Sequence, residues 1–250
     1  MFQEERLNKI IELLNVRESL TKNEIMEELG ISRDTARRDI VKLTEEGSVI
    51  RTHGGITLRR NSLIRKCYNI RRDDKVEEKK RIAKAALRLV EPEKTYYFDA
   101  STTIYQLCKI IPNSINAYSN SLDNVQAMDQ VGCKVHIMGG MLNHNNKFIY
   151  GQDTMEQISK VYYDAVFLGV DAIMKDGAYT IQEEDAPIKK LLAQRSRKVY
   201  VVTEYSKFET EGTYKCFGLE NIDVLITDKK PTKEISEFLE KNNIEIIVAE

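Results

Sequence analysis

The chain has 250 residues, with 38 Lys and Arg against 39 Asp and Glu, so its formal net charge of -1 gives no global attraction to a polyanion and any nucleic-acid footprint has to be a local patch. Hydrophobic residues at 42% and charged residues at 31% exclude a disordered chain. No apolar run is long enough to span a bilayer, and the length suits a small domain followed by a medium one.

Leu7, Ile10, Ile11 and Leu14 repeat at helical spacing and predict a first helix whose apolar face lies across the next two. Thr21 to Leu43 then reads as two short helices broken at Gly30, a helix-turn-helix pattern. Thr21 caps the first, with Glu24 completing a capping box, and Ile25 and Leu29 share a face. Ser32 caps the second, where Ala36, Ile40 and Leu43 form the apolar side while Arg33, Thr35, Arg37, Arg38 and Lys42 stay polar. A helix pair with solvated charge is the blander reading. Arginines gathered near the start of a helix, however, oppose its dipole, and a phosphate backbone supplies the reason that packing does not. Gly47 supplies the stop.

Ser48 to Leu58 contains two β-prone runs around a glycine-rich turn, the wing of a winged helix. Val49 and Ile56 would close the small core, while Arg51 and His53 would reach the DNA backbone or minor groove. The candidate DNA contacts are thus Thr21, Ser32, Arg33, Thr35, Arg37, Arg38, Lys42, Arg51 and His53. His53-Gly54-Gly55 also looks like the oxyanion loop of some hydrolases, but the chain holds no GxSxG nucleophile elbow. From Arg59 to Arg72 six basic residues occur with no acidic one, a composition shift that marks a linker. The expected division is a DNA-binding domain over 1–58, a basic linker over 59–73 and a second domain over 74–250.

A helix over Asp73 to Val90 opens the second domain. Strands are expected at Tyr96–Asp99, Ile115–Ser119, Val135–Met138, Val166–Gly169, Val199–Thr203, Val224–Thr227 and Ile244–Val248. Helices are expected at Thr103–Ile111, Leu122–Gln130, Ala186–Ser196 and Lys233–Asn242, the alternation of an α/β sheet, in which ligands bind at the carboxyl ends of strands. Those ends are polar. Asp99, Ser101, Thr102 and Thr103 stand at a strand-to-helix turn and read as a phosphate cradle. Ser119, Asn120 and Ser121 end the next strand, Gly139 and Gly140 the one after, Asp171 follows another, and Lys207 follows a fifth. Helix capping alone would explain any one of these, but less readily all five.

Neither GxGxxG nor GxxxxGKS occurs, so no dinucleotide or triphosphate cofactor is expected. Cys67, Cys108, Cys133 and Cys216 form no CxxC pair, and His136 and His144 lack metal-ligand spacing, so no metal site is expected. The charged first ten residues have no apolar signal core, which makes the expected location cytoplasmic, without a membrane partner.

These residues together resemble DeoR-type bacterial transcription regulators along essentially the whole chain. The resemblance is carried by Arg6-x-x-x-Ile10, Ser32-x-x-Thr35-x-Arg37-Arg38-Asp39 and Arg51-x-His53-Gly54-Gly55 in the first part. In the second part it is carried by Asp99-Ala-Ser-Thr-Thr103, Ser119-Asn-Ser121, Gly139-Gly140, Gly151, Phe167-Leu-Gly-Val-Asp171 and Ser206-Lys207-Phe208. It implies an all-α winged helix-turn-helix with a small β wing, followed by a Rossmann-like α/β sensor domain similar to ribose-5-phosphate isomerase. It adds Asp185 and Lys189 to the effector-binding candidates. Ser101, Ser119, Asp185 and Glu204 depart from the commonest pattern, where Gly, Thr, Glu and Asp respectively are frequent.

The implied function is a repressor of a sugar-metabolism operon that binds double-stranded operator DNA and is released by a phosphorylated sugar. Reading paired half-sites calls for a homodimer or homotetramer. The competing reading is a sugar-phosphate isomerase with a DNA module attached. Asp171 or Asp185 would then be its base, but Lys175–Tyr179 lacks the glycine run that would hold an enediol.

Overall fold

In a computed structural model the chain forms two compact units, residues 1–66 and 67–250. The structure describes residues 2–17, 19–45, 48–52, 55–58 and 68–250. Gly47, His53, Gly54, Cys67 and most of the expected linker therefore lie outside the described residues.

The first unit runs α1 (Gln3–Val16), β1 (Ser19–Thr21), α2 (Lys22–Leu29), α3 (Arg33–Glu45), β2 (Val49–Thr52) and β3 (Gly55–Leu58). Its core is the apolar set expected from spacing: Leu7, Ile10 and Leu14 from α1, Ile25 from α2, and Ala36, Ile40 and Leu43 from α3. The wing strands pair antiparallel, but they are joined by a third strand that the sequence did not announce, in the order β1-β3-β2. Leu20 of β1 faces Ile56 of β3, and both are fully enclosed. At Gly55 a Cβ would lie 2.9 Å from the Cα of Thr21, so only glycine permits this close backbone approach.

The second unit begins with α4 (Tyr68–Asp73), α5 (Val76–Leu87), β4 (Thr95–Phe98), α6 (Thr102–Cys108), β5 (Asn116–Ser119), α7 (Leu122–Gln130) and β6 (Lys134–Ile137). It continues with β7 (Met141–Asn143), β8 (Phe148–Tyr150), α8 (Gln152–Ser159), β9 (Ala165–Leu168), β10 (Ala172–Met174), β11 (Gly177–Thr180) and α9 (Asp185–Gln194). Last come β12 (Val199–Val202), β13 (Tyr214–Phe217), β14 (Val224–Thr227), α10 (Lys233–Lys241) and β15 (Glu245–Val248). The seven expected strands form one sheet, ordered β15-β14-β12-β9-β4-β5-β6, with every pair parallel.

Side-chain alternation along the central strands feeds two cores. Tyr97, Val166, Leu168, Val201 and Leu225 face one, with Ile158, Ile188, Leu192 and Leu239 from α8, α9 and α10. Tyr96, Phe98, Phe167, Val202 and Ile226 face the other, with Ile82, Ile104, Leu107 and Met128 from α5, α6 and α7. Phe98 and Phe167 stack with ring centroids 5.2 Å apart, and burial of each such side chain stabilises by roughly 1.5–3 kcal/mol. Helices thus cover both faces, and the strand order reverses between β4 and β9. In open α/β sheets the carboxyl ends of the strands at such a reversal are where ligands bind.

Three departures from expectation have physical causes. Tyr68–Asp73, inside the stretch read as linker, forms α4, and Tyr68 is 1% exposed; one buried aromatic does not announce itself within a run of arginines. The helix expected over Asp73–Val90 begins only at Val76, because Lys75 takes a left-handed conformation with φ of 50°. Strands β7, β8, β10, β11 and β13 pair in two small antiparallel sheets of three- and four-residue strands, too short for a period to register.

Candidate functional site

In the first unit the local sequence chemistry behaves as read. The Thr21 hydroxyl accepts from the Glu24 amide at 3.2 Å while the Glu24 carboxylate accepts from the Thr21 amide at 2.6 Å, so Thr21 caps α2. Gly30 closes that helix in the left-handed region with φ of 61°. Ser32 does the same for α3, its hydroxyl accepting from the Thr35 amide at 3.2 Å and pairing with the Thr35 hydroxyl at 2.9 Å.

What fixes the orientation of α3 is a charge that the sequence reading did not assign. Asp39 is fully enclosed and takes a two-point salt bridge from Arg6 of α1, Nε to Oδ2 at 2.7 Å and Nη2 to Oδ1 at 3.1 Å. The hydrogen bond to Asp39 raises the Arg6 pKa against the burial that works to lower it. Gln3 adds a bond to Asp39 at 3.2 Å and accepts one from Lys42 at 3.3 Å. With its inner side held, α3 turns Arg33, Arg37 and Arg38 to solvent. Arg51 is exposed on β2, and His53 lies outside the described residues. Lys42, half-buried and bonded to Gln3, is the candidate most committed to internal contacts.

In the second unit four of the candidates, Asp99, Asp171, Asp185 and Lys189, meet at the carboxyl ends of β4 and β9. Asp99 follows β4 and is fully enclosed; its Oδ2 accepts from the Gly169 amide at 3.0 Å and from the Lys189 ammonium. Lys189 stands 3.2 Å from Asp185, one turn earlier on α9. Burial works to lower the Lys189 pKa, but Asp185 and Asp99 outweigh it, and the net direction is upward, so the cation is firmly held. Asp171 Oδ2 accepts from the Thr180 hydroxyl at 3.0 Å and from the Ile181 amide at 3.2 Å, and Thr180 also lies 3.3 Å from Asp185. The chain Asp171–Thr180–Asp185–Lys189–Asp99 is one continuous buried polar network. Ser101 packs against it, since a Cβ at Gly169 would lie 2.5 Å from the Ser101 Cβ.

Other candidates are engaged differently from the expectation of open cradle groups. Ser101 caps α6 and accepts from the Thr103 amide at 3.3 Å, so that amide already has a partner. Ser119 donates to the Phe98 carbonyl at 2.6 Å and accepts from the Ser121 amide at 3.1 Å, tying the end of β5 to β4. Ser121 caps α7 through the Asn124 amide, and Asn120 donates to the Ile149 carbonyl at 3.0 Å. Gly139 donates to Gln157 at 3.1 Å and accepts from Thr154 at 2.7 Å, while Gly140 has φ of 144° beneath α8. Thr102 and Thr103 are buried on α6, and Lys207 is half-buried on the 3-10 turn Tyr205–Phe208.

Three residues of this region were missed. Thr180 and Asn124 join the network, Asn124 by donating to the Asp99 carbonyl at 2.9 Å. Lys79 of α5, 3% exposed, donates to the carbonyls of Arg71 and Asp74 and lies 3.6 Å from Glu204. The signal was present in helical phase: Lys79 shares a face with Ile82, Ala83 and Ala86, whereas its neighbour Lys80 does not. Among the described residues no helix is long and apolar enough to cross a membrane.

Comparison with known families gives two matches, the DeoR-like helix-turn-helix domain over residues 6–61 and the DeoR C-terminal sensor domain over residues 74–229. The chain is 34% identical over 258 residues to the HTH-type transcriptional repressor GlcR of Bacillus subtilis, covering 100% of this chain and 98% of that one. It is 27% identical over 250 residues to the glycerol-3-phosphate regulon repressor of Escherichia coli, covering 98% and 99% respectively. Among solved structures, ribose 5-phosphate isomerase A of Methanocaldococcus jannaschii aligns over 52% of each chain at 14% identity with a TM-score of 0.38.

Proposed function

Because this chain belongs to the DeoR family, we propose that it is a sequence-specific transcriptional repressor of a sugar-metabolism operon, released from operator DNA by a phosphorylated sugar intermediate. The observation that carries the reading is α3, a helix pinned on its inner side by Arg6–Asp39 and presenting Arg33, Arg37 and Arg38 outward. In a helix-turn-helix the second helix enters the major groove with its N-terminal residues at base edges. Arg33 and Arg37 are one turn apart there, and Arg38 is rotated about 100° from Arg37, towards the phosphate backbone. Thr21, Ser32 and Thr35 act at the helix starts and Arg51 on the wing, while His53, expected to act with it, lies outside the described residues.

Effector binding falls to the carboxyl ends of β4 and β9. Asp99, Asp171, Asp185 and Lys189 offer fixed acceptors and one fixed cation for sugar hydroxyls, while Ser101, Thr102, Thr103 and Lys207 are the groups suited to a phosphate. Ser119, Asn120, Ser121, Gly139 and Gly140 shape the rim through their internal bonds. The carboxylates serve as acceptors within a network rather than as a base poised to take a proton, which favours sensing over isomerisation. Domain limits near residues 58 and 74 and a dimer or tetramer, to match paired half-sites, belong to the same reading.

The test is operator affinity of the full-length protein at one fixed salt concentration, without and with a panel of pentose and hexose phosphates. One of them is expected to weaken binding by 5- to 150-fold, the usual span of about 1 to 3 kcal/mol of coupling. Absence of operator binding, or of any response across the panel, overturns the reading.

A further inference from the structure

Glu204 follows β12, at the point where the chain leaves the sheet for the 3-10 turn that carries Lys207. Its Oε1 accepts a hydrogen bond from the Thr103 hydroxyl of α6 at 3.4 Å and stands 3.6 Å from the Lys79 ammonium of α5. A cation and a hydroxyl from two different helices thus converge on one carboxylate oxygen. The two charges are unequally enclosed, since the Lys79 side chain is 3% exposed and that of Glu204 15%. Lys79 is further anchored by hydrogen bonds to the Arg71 and Asp74 carbonyls, so Glu204, the more exposed of the two, is the partner freer to move. Burial lowers the Lys79 pKa even though Glu204 works to raise it, as expected where one partly solvated carboxylate only partly offsets desolvation.

We propose that Glu204 is a resident anion occupying a phosphate position, and that the phosphate monoester of the effector displaces it and takes over Lys79 and the Thr103 hydroxyl. This rests on the sensor reading above and adds Lys79 and Glu204 to it, which form with Thr103 one exchangeable anion site. A phosphate monoester carries more charge than a carboxylate and has three acceptor oxygens, so it can satisfy Lys79 and Thr103 together while Glu204 swings into solvent. Because Lys79 also holds the carbonyls at the end of α4, the exchange is felt at the first described element of the second unit. The longer Glu side chain suits this role, having the reach both to fill the position and to leave it.

Calorimetric titration of inorganic phosphate into the full-length protein, at fixed ionic strength with chloride as the control anion, tests the exchange. Glu204→Gln removes the competing charge and is expected to bind phosphate on the order of tenfold more tightly than wild type. Adding Thr103→Val is expected to remove most of that gain, and Lys79→Met all of it; should Lys79→Met fail to fold, the first two variants decide. Unchanged or weaker phosphate affinity in Glu204→Gln overturns the proposal, as does a lack of phosphate binding in every variant. If a sugar phosphate releases the wild type from operator while Glu204→Gln shows no gain, only the exchange falls and the sensor reading stands.

Discussion

Arg6 and Asp39 lie 33 residues apart, yet their side chains meet in a two-point salt bridge that fastens α1 to the middle of α3. The carboxylate is fully enclosed, and the guanidinium side chain is 15% exposed. Removing Arg6 leaves a buried charge without its partner, which typically destabilises by about 3–5 kcal/mol. Arg6→Ala is therefore expected to lower the stability of the helix-turn-helix unit strongly, and Asp39→Asn less, because the amide stays neutral in the same site. Urea denaturation of the two variants checks the order; equal stability in Arg6→Ala and wild type would show the pair to be ornamental.

On the outer side of the same helix, Arg37→Ala and Arg38→Ala are expected to leave stability within about 0.5 kcal/mol of wild type, since both side chains are solvent-exposed. Their effects on DNA should differ in kind. Loss of a base contact reduces operator affinity by about 1 to 3 kcal/mol and relaxes specificity, whereas loss of a phosphate contact weakens all sequences and lowers the salt slope by about 1. Operator titrations at several salt concentrations separate the two, and normal affinity in both variants would remove α3 from the interface.

Lys189→Met leaves Asp99 and Asp185 buried without their cation, and a loss of about 3–5 kcal/mol at neutral pH is expected for the second unit. The pH dependence follows from the direction of the shift. A lysine whose folded pKa is raised contributes fully below its unfolded value of 10.5 and loses that contribution as pH rises through the higher folded value. The deficit of the variant should be constant from neutral pH to about pH 9 and narrow only in stronger alkali. Thermal melts of variant and wild type from neutral to alkaline pH check it.

Lys207→Met is expected to keep operator affinity and to lose most of the response to the sugar phosphate, giving non-inducible repression. A charge-assisted contact to phosphate is the interaction removed, typically about 1.5–3 kcal/mol. The comparison is operator affinity with and without effector for variant and wild type in one buffer. A full response in the variant would place Lys207 outside the site.

A fragment starting at Tyr68 is expected to fold on its own and one starting at Asp74 to be less stable. The shorter fragment lacks the enclosed Tyr68 side chain and the Arg71 carbonyl that Lys79 caps. Circular dichroism melts of the two fragments decide it, and equal midpoints would return α4 to the linker.

Most of the framework could be read from the chain because it is built on long, repeated signals. The seven apolar runs from Tyr96 to Val248 became the seven parallel strands, and Thr21, Gly30 and Ser32 did what their chemistry at helix ends requires. Asp99, Asp171, Asp185 and Lys189 came together as a cluster, although Asp185 and Lys189 were recognised by family resemblance, not by spacing. What stayed hidden was pairing between distant elements. Nothing local tells that Arg6 reaches Asp39, or that Glu204 meets Lys79, and Lys79 sits in a Glu-Glu-Lys-Lys-Arg run that looks solvated throughout. Ser119 and Ser121 misled in the opposite direction, since hydroxyls at strand ends suit a ligand and a neighbouring carbonyl equally well.

The buried polar network is stitched from segments remote in the chain: the Gly169 amide reaches Asp99 across 70 residues, and Lys189 reaches it across 90. The reading helix, by contrast, closes on neighbours within the first 58 residues. During synthesis the DNA-reading module is therefore complete long before the ribosome has made the last part of the sensor. A product cut short before Lys189 would be a reader without a sensor. On the proposed function, such a truncation keeps the helix proposed to read DNA and loses the residues proposed to sense the effector.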